Sequence, residues 1–157
     1  MEGLLLSVHV LAGIVFVGGS AVAASLFPRY APVAVAVPAG GGDPAADESG
    51  ERNGAVAQLL HRITRVYGVL GIIVPVVGIV LAMIQDRMGE IWINLAMVLT
   101  AAAGLLLALM IYPRQRAALA EPGDARRLRT LSMLSGFYNV LWAVVVVLMI
   151  VRPGEHA

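Results

Sequence analysis

Residues 66–84 read VYGVLGIIVPVVGIVLAMI, residues 85–90 QDRMGE, and residues 91–112 IWINLAMVLTAAAGLLLALMIY. Two uncharged apolar runs of 19 and 22 residues thus flank a six-residue polar connector. A helix rises about 1.5 Å per residue, so each run reaches roughly 30 Å, the thickness of a bilayer's hydrocarbon core. In lipid, a single segment satisfies its backbone only as a helix. The passage therefore predicts two membrane-spanning helices in an antiparallel hairpin.

The same pattern recurs on either side. Residues 4–27 carry no charge over 24 positions, and residues 131–151 none over 21. The expected fold is all-α: an integral membrane four-helix bundle in one transmembrane domain, residues 1–157, with helices at about 4–27, 66–84, 91–112 and 131–151. Composition agrees. The chain is 59% apolar and 13% charged, whereas soluble domains lie near half and a quarter. The first run carries a small-residue motif, Ala21-Val22-Ala23. Its leading segment has Glu2 and no basic residue, so it reads as a span rather than a cleaved signal peptide.

Arginine placement predicts orientation. All eleven basic residues are Arg, which reads as a coding bias of actinobacterial type. Arg29, Arg52, Arg62 and Arg65 flank loop one, and Arg114, Arg116, Arg126, Arg127 and Arg129 lie in loop three. Only Arg87 and Arg152 fall on the other side. Cytoplasmic loops collect positive charge, so loops one and three are expected inside a bacterial plasma membrane and both termini outside. The loop-three arginines read chiefly as topology determinants, with anionic headgroups as a further role. Loop one, about residues 31–54, holds Pro38, Gly40, Gly41, Gly42 and Pro44, then Asp47, Glu48 and Glu51, the composition of a flexible solvated linker. Residues 55–65 read as a helical lead-in to the second span.

Helices in lipid associate through small residues. Gly68, Gly71, Pro75 and Gly78 share one face of the second span, and Ala96, Thr100 and Gly104 one face of the third. These two faces are expected to pack together, with closest approach at Gly71 and a kink at Pro75. Tyr30, Tyr67, Trp92 and Tyr112 are expected at the membrane boundaries.

No Asp, Glu, Lys or Arg lies inside any run. That argues against a proton relay or a carboxylate ion path. The absence of cysteine removes thiolate chemistry, and a net charge of +1 offers nothing to nucleic acid. No catalytic residue is expected. His9, near the outer end of the first span, is the one candidate cofactor ligand, since neutral imidazole binds haem iron or copper. It is otherwise a hydrogen-bonding residue of the bundle. Asn94 lies at a similar depth, which makes a His9–Asn94 bond an expectation. Asn139 and Tyr138 are expected to make a second polar contact. His61 lies about a membrane thickness from His9, cannot share a metal with it, and reads as interfacial. His156 sits in the tail.

Short stretches resemble a superfamily of four-helix membrane proteins. Val8-His9-Val10-Leu11, Phe27-Pro28-Arg29, Leu59-Leu60-His61-Arg62, Ile93-Asn94-Leu95-Ala96 and Arg152-Pro153 look like its helix starts and ends. The superfamily includes HemJ-type protoporphyrinogen oxidases, CopD-type copper-resistance proteins and, closest in character, uncharacterised actinobacterial membrane proteins. The HemJ resemblance implies haem b on His9. It also implies a lysine near position 94, where this chain has Asn94. The leading expectation is a non-catalytic accessory subunit, packed in the bilayer against other subunits, as in a respiratory assembly, or against a second copy. The alternative is a haem or metal protein using His9. A small transporter of neutral solutes is a third reading.

Overall fold

The computed structural model describes residues 2–33 and 53–154. Among them 86% are helical and none forms a strand. Four helices are long and apolar enough to cross a membrane: α1 (Gly3–Tyr30), α2 (Gly54–Ile84), α3 (Ile91–Ala120) and α4 (Ala125–Val151). Their outward faces carry large apolar side chains; Leu4, Ile91 and Ile150 are each more than 70% exposed. This is consistent with a multi-pass membrane protein, in which lipid covers what a soluble bundle would bury. The linker segment from Pro38 to Glu51, and His156, lie outside the described residues.

The helices outrun the apolar sequence at the loop-one and loop-three end. Asn53 caps α2, its side-chain oxygen accepting from the Ala55 and Val56 amides at 3.0 and 3.4 Å, which satisfies donors that a helix start leaves free. α3 continues through Tyr112–Ala120, a segment expected to be loop, and α4 begins at Ala125. Arg114 and Arg116 point outward while Gln115 is fully buried, so charge in the sequence did not end the helix.

Three of the four helices are irregular at mid-length. α1 widens to a π-helical turn over Gly13–Val17, and α3 does so over Leu106–Ile111. α2 breaks at Gly71 and Ile72. Pro75 supplies the cause: it has no N–H, and its ring crowds the carbonyl four residues earlier, that of Gly71. The Val74 amide tightens onto that carbonyl instead, at 3.1 Å.

The break redirects α2. Its upper half, Ile73–Ile84, leans on the first half of α1, and its lower half, Gly54–Leu70, on the second half. α3 packs mainly along α4, and α4 along α1. The expected direct packing of the small-residue faces of α2 and α3 is therefore not what forms. A Cβ added at Gly71 would meet only carbonyl groups of its own turn, and one at Gly104 no atom within 4 Å. Close approach occurs at neighbouring positions. A Cβ at Gly68 would lie 2.8 Å from Leu107, one at Gly78 would lie 2.8 Å from the His9 ring, and Gly19 faces the Tyr67 ring. The main buried core lies at the loop-one and loop-three end, around Phe27, Leu60, Ile111 and Leu131, and a smaller cluster of Ala82, Trp92 and Ile93 closes the other end.

Candidate functional site

The polar side chains inside the bundle fall into three groups. At the α2–α3 loop end, His9 of α1 is 92% buried and its Nδ1 lies 3.0 Å from the Val74 carbonyl of α2. A carbonyl only accepts, so Nδ1 carries the proton and donates. The lone pair of the neutral ring is then on Nε2. Asn94 is elsewhere: its amide donates to the Met88 and Glu90 carbonyls at 3.2 and 3.1 Å, closing the 85–90 loop from the start of α3. The His9–Asn94 bond does not form: His9 bonds to α2 and Asn94 to the 85–90 loop. Arg87 pairs with Glu90 at 3.3 Å, and the Trp92 indole also donates to Glu90. Arg152, just past α4, sits 6.0 Å over the Trp92 ring, a cation–π distance.

Mid-bundle, α1 and α4 are joined by hydroxyls. Ser20 donates to the Val17 carbonyl at 2.9 Å, so the Tyr138 hydroxyl, also 2.9 Å away, donates to Ser20. Ser135 donates to the Ala24 carbonyl at 2.9 Å. Asn139 donates to Ser25 at 2.8 Å on the outer edge of the same seam. Asn139 and Tyr138 thus each make a polar contact with α1.

At the loop-one and loop-three end, His61 of α2 stacks on Tyr112 of α3, with centroids 4.8 Å apart, and its Nδ1 donates to Gln115 Oε1 at 3.0 Å. Gln115 passes the chain on to Thr64 Oγ1 at 3.5 Å, and Thr64 donates to the Leu60 carbonyl at 2.9 Å. Both polar atoms of the Gln115 amide have a partner, which is what permits a fully buried glutamine. Sequence reasoning missed Gln115, Thr64, Ser20 and Ser135. Gln115 was hidden between two arginines in a presumed loop. The other three look like ordinary helix hydroxyls until their partners are known.

Between these groups lies a cleft of about 80 Å³ to which all four helices contribute. Gly68, Gly71 and Pro75 of α2 form one wall, and Thr100, Gly104 and Leu107 of α3 the other. The two small-residue faces thus face each other across a gap, meeting only where Gly68 receives Leu107. Ser20, Tyr138 and Trp142 form the floor. The floor is deep, with Ser20 and Tyr138 buried, while Ile72 and Gly104 at the mouth are exposed. All three helix irregularities reach this cleft, through Val17, Gly71 with Ile72, and Leu107. Tyr67, expected at a membrane boundary, also lines it, thirteen residues inside α2 and edge-on to Phe16 at 6.0 Å. Trp142 packs edge-on to Tyr138, ring centroids 6.3 Å apart. Its indole nitrogen is buried with no partner in hydrogen-bonding geometry.

Among the described residues no three His, Cys, Asp or Glu side chains gather to hold a metal ion. The arrangement offers hydrogen-bond donors, aromatic faces and space inside an apolar bundle, which is the chemistry of packing and of binding uncharged molecules. No protein-family model matches the chain, and neither a curated protein nor a solved structure matches it.

Proposed function

We propose that the protein is an accessory subunit of a bacterial plasma-membrane complex. It packs through its spans against other subunits, a respiratory assembly being the first to search, or against a second copy. Asn139 carries this reading. It lies eight residues into the apolar part of α4, about 12 Å along the helix, yet it faces outward. Beside it on the same outward face are Ser132 and Gly136, and a Cβ at Gly136 would meet nothing within 4 Å. Its nitrogen is held by Ser25, but an amide oxygen facing lipid is costly, and a glycine next to it admits a helix backbone closely. A partner helix on this face satisfies both. The arginine count, nine against two, supports placing both termini outside and loops one and three in the cytoplasm. Purification of the tagged chain from its native membrane in mild detergent, followed by mass spectrometry, tests the proposal. A stoichiometric membrane protein or a stable homo-oligomer is the expected result. A lone monomer contradicts it.

A second reading, His9 as a ligand to haem b or a metal, has one observation in its favour. Donation from Nδ1 leaves Nε2 as the coordinating atom, the arrangement found where a second group fixes a ligand's tautomer. The surroundings fit poorly. The ring edge is wedged against Gly78, and the space beside it is taken by α2. A Soret band in protein expressed with haem, lost in His9→Ala, would establish this reading against the packing role.

A further inference from the structure

We propose that the cavity between the end of α3 and the start of α4 holds the headgroup of a phospholipid that carries both a phosphate and a primary amine, as phosphatidylethanolamine does. The inference rests on the membrane-spanning fold and on no partner subunit. The cavity measures about 350 Å³. A water takes about 30 Å³ of liquid, so a headgroup fits with some of its hydration. The charged lining is Arg114 and Glu121 on the α3 side, Asp124 and Arg127 on the α4 side. Two cations and two carboxylates share the space without neutralising one another: among the described residues none of the four is in an ion pair. Arg114 makes one side-chain hydrogen bond, to the Met110 carbonyl at 3.1 Å. Asp124 starts α4 without using its side chain as a cap. Arg127 lies along Gly123, where a Cβ would come 3.1 Å from its Cδ. The missing side chain leaves the guanidinium room at the cavity wall.

Depth matches the headgroup layer. The apolar run of α3 ends at Tyr112, and that of α4 begins at Leu131. At about 1.5 Å per residue, the backbones of Arg114 and Arg127 stand about 3 and 6 Å beyond those ends, and those of Asp124 and Glu121 about 10 and 14 Å. The headgroup layer is roughly 5–8 Å thick on each side of the core. The cations thus come from the core side of the cavity and the carboxylates from its water side. A phospholipid presents its charges in the matching order, with the phosphate next to the glycerol and the amine at the outer end. Five arginines alone, as loop three carries, would favour a purely anionic headgroup. The two carboxylates in the lining select against one. A quaternary ammonium has no N–H to offer them, whereas a primary ammonium has three. Arginine to phosphate and ammonium to carboxylate are both charge-assisted hydrogen bonds, the stronger kind.

Native mass spectrometry of the full chain in detergent, titrated in turn with dioleoyl phosphatidylethanolamine, phosphatidylglycerol and phosphatidylcholine, tests the proposal. The expected result is one retained phosphatidylethanolamine per chain, bound about fivefold tighter than either other lipid, the scale of two exposed ion pairs. Glu121→Gln with Asp124→Asn should abolish that preference and turn it towards phosphatidylglycerol. Arg114→Gln with Arg127→Gln should weaken binding of all three lipids. Arg116→Gln with Arg129→Gln removes as much charge from outside the cavity and should leave the preference unchanged. All six side chains are exposed, so the fold is retained, as an unchanged unfolding midpoint reports. Equal binding of the three lipids, a native preference for phosphatidylglycerol, or indifference to the carboxylate pair overturns the proposal. Displacement of the lipid by an equal concentration of free O-phosphoethanolamine assigns the cavity to a soluble ligand and overturns it equally.

Discussion

His9 of α1 sits in the notch that Gly78 of α2 leaves open, its Cε1 2.8 Å from where a Cβ would stand. The same ring bonds to Val74 one turn earlier. The two contacts clamp the upper half of α2 to α1. Gly78→Ala drives a methyl into the ring, and overpacking of this kind costs about 1–3 kcal/mol. Thermal unfolding in detergent should show the loss, and His9→Ala in the same chain should recover part of it. Equal stability of Gly78→Ala and the native protein contradicts the clamp.

The buried chain through Gln115 is the second place where one side chain serves two helices. Gln115→Leu keeps the volume but strands the His61 Nδ1 and removes the donor to Thr64. An unsatisfied buried polar group costs about 1–3 kcal/mol, so the unfolding midpoint should fall clearly. Arg116→Leu, next in sequence but exposed, should change it far less.

The four spans were legible because apolar runs of 19 to 24 residues have few other readings. Helix ends were less so. A run stops at the first charge, whereas α3 continues past Arg114 with its arginines outward and Gln115 inward, a face that follows from Ile111 four residues earlier. The small-residue faces were visible as faces, but not their partners. A glycine accepts any close neighbour, and for Gly78 that neighbour is an imidazole on α1. The π-helical turn in α1 is marked by no proline or charge, and the one in α3 only by Pro113, whose ring crowds the Leu109 carbonyl inside it. The cleft they create with the Pro75 break was illegible for that reason.

Across the α1–α4 seam, Ser20→Ala and Tyr138→Phe remove the two sides of one buried hydrogen bond. Such bonds between membrane helices are worth about 0.6 kcal/mol and seldom above 1.7. A double-mutant cycle on unfolding should give a coupling energy in that range. Strict additivity would show that the hydroxyls do not interact.

Orientation is accessible because the chain has no native cysteine. Single replacements Glu121→Cys, between α3 and α4, and Met88→Cys, between α2 and α3, are both at exposed positions. A membrane-impermeant thiol reagent applied to intact cells should label position 88 and spare position 121 until the cells are opened. The reverse pattern inverts the topology.

The outward face of α4 is the surface on which the proposed accessory role stands. A photo-crosslinking amino acid placed at Gly136, beside Asn139, is to be compared in native membranes with one at exposed Val98 of α3. The account predicts one defined protein adduct from position 136, either a second copy or a single other subunit, and lipid adducts from position 98. Asn139→Leu should abolish the protein adduct while leaving the chain folded. Lipid adducts alone at both positions would contradict the claim that this face meets another helix.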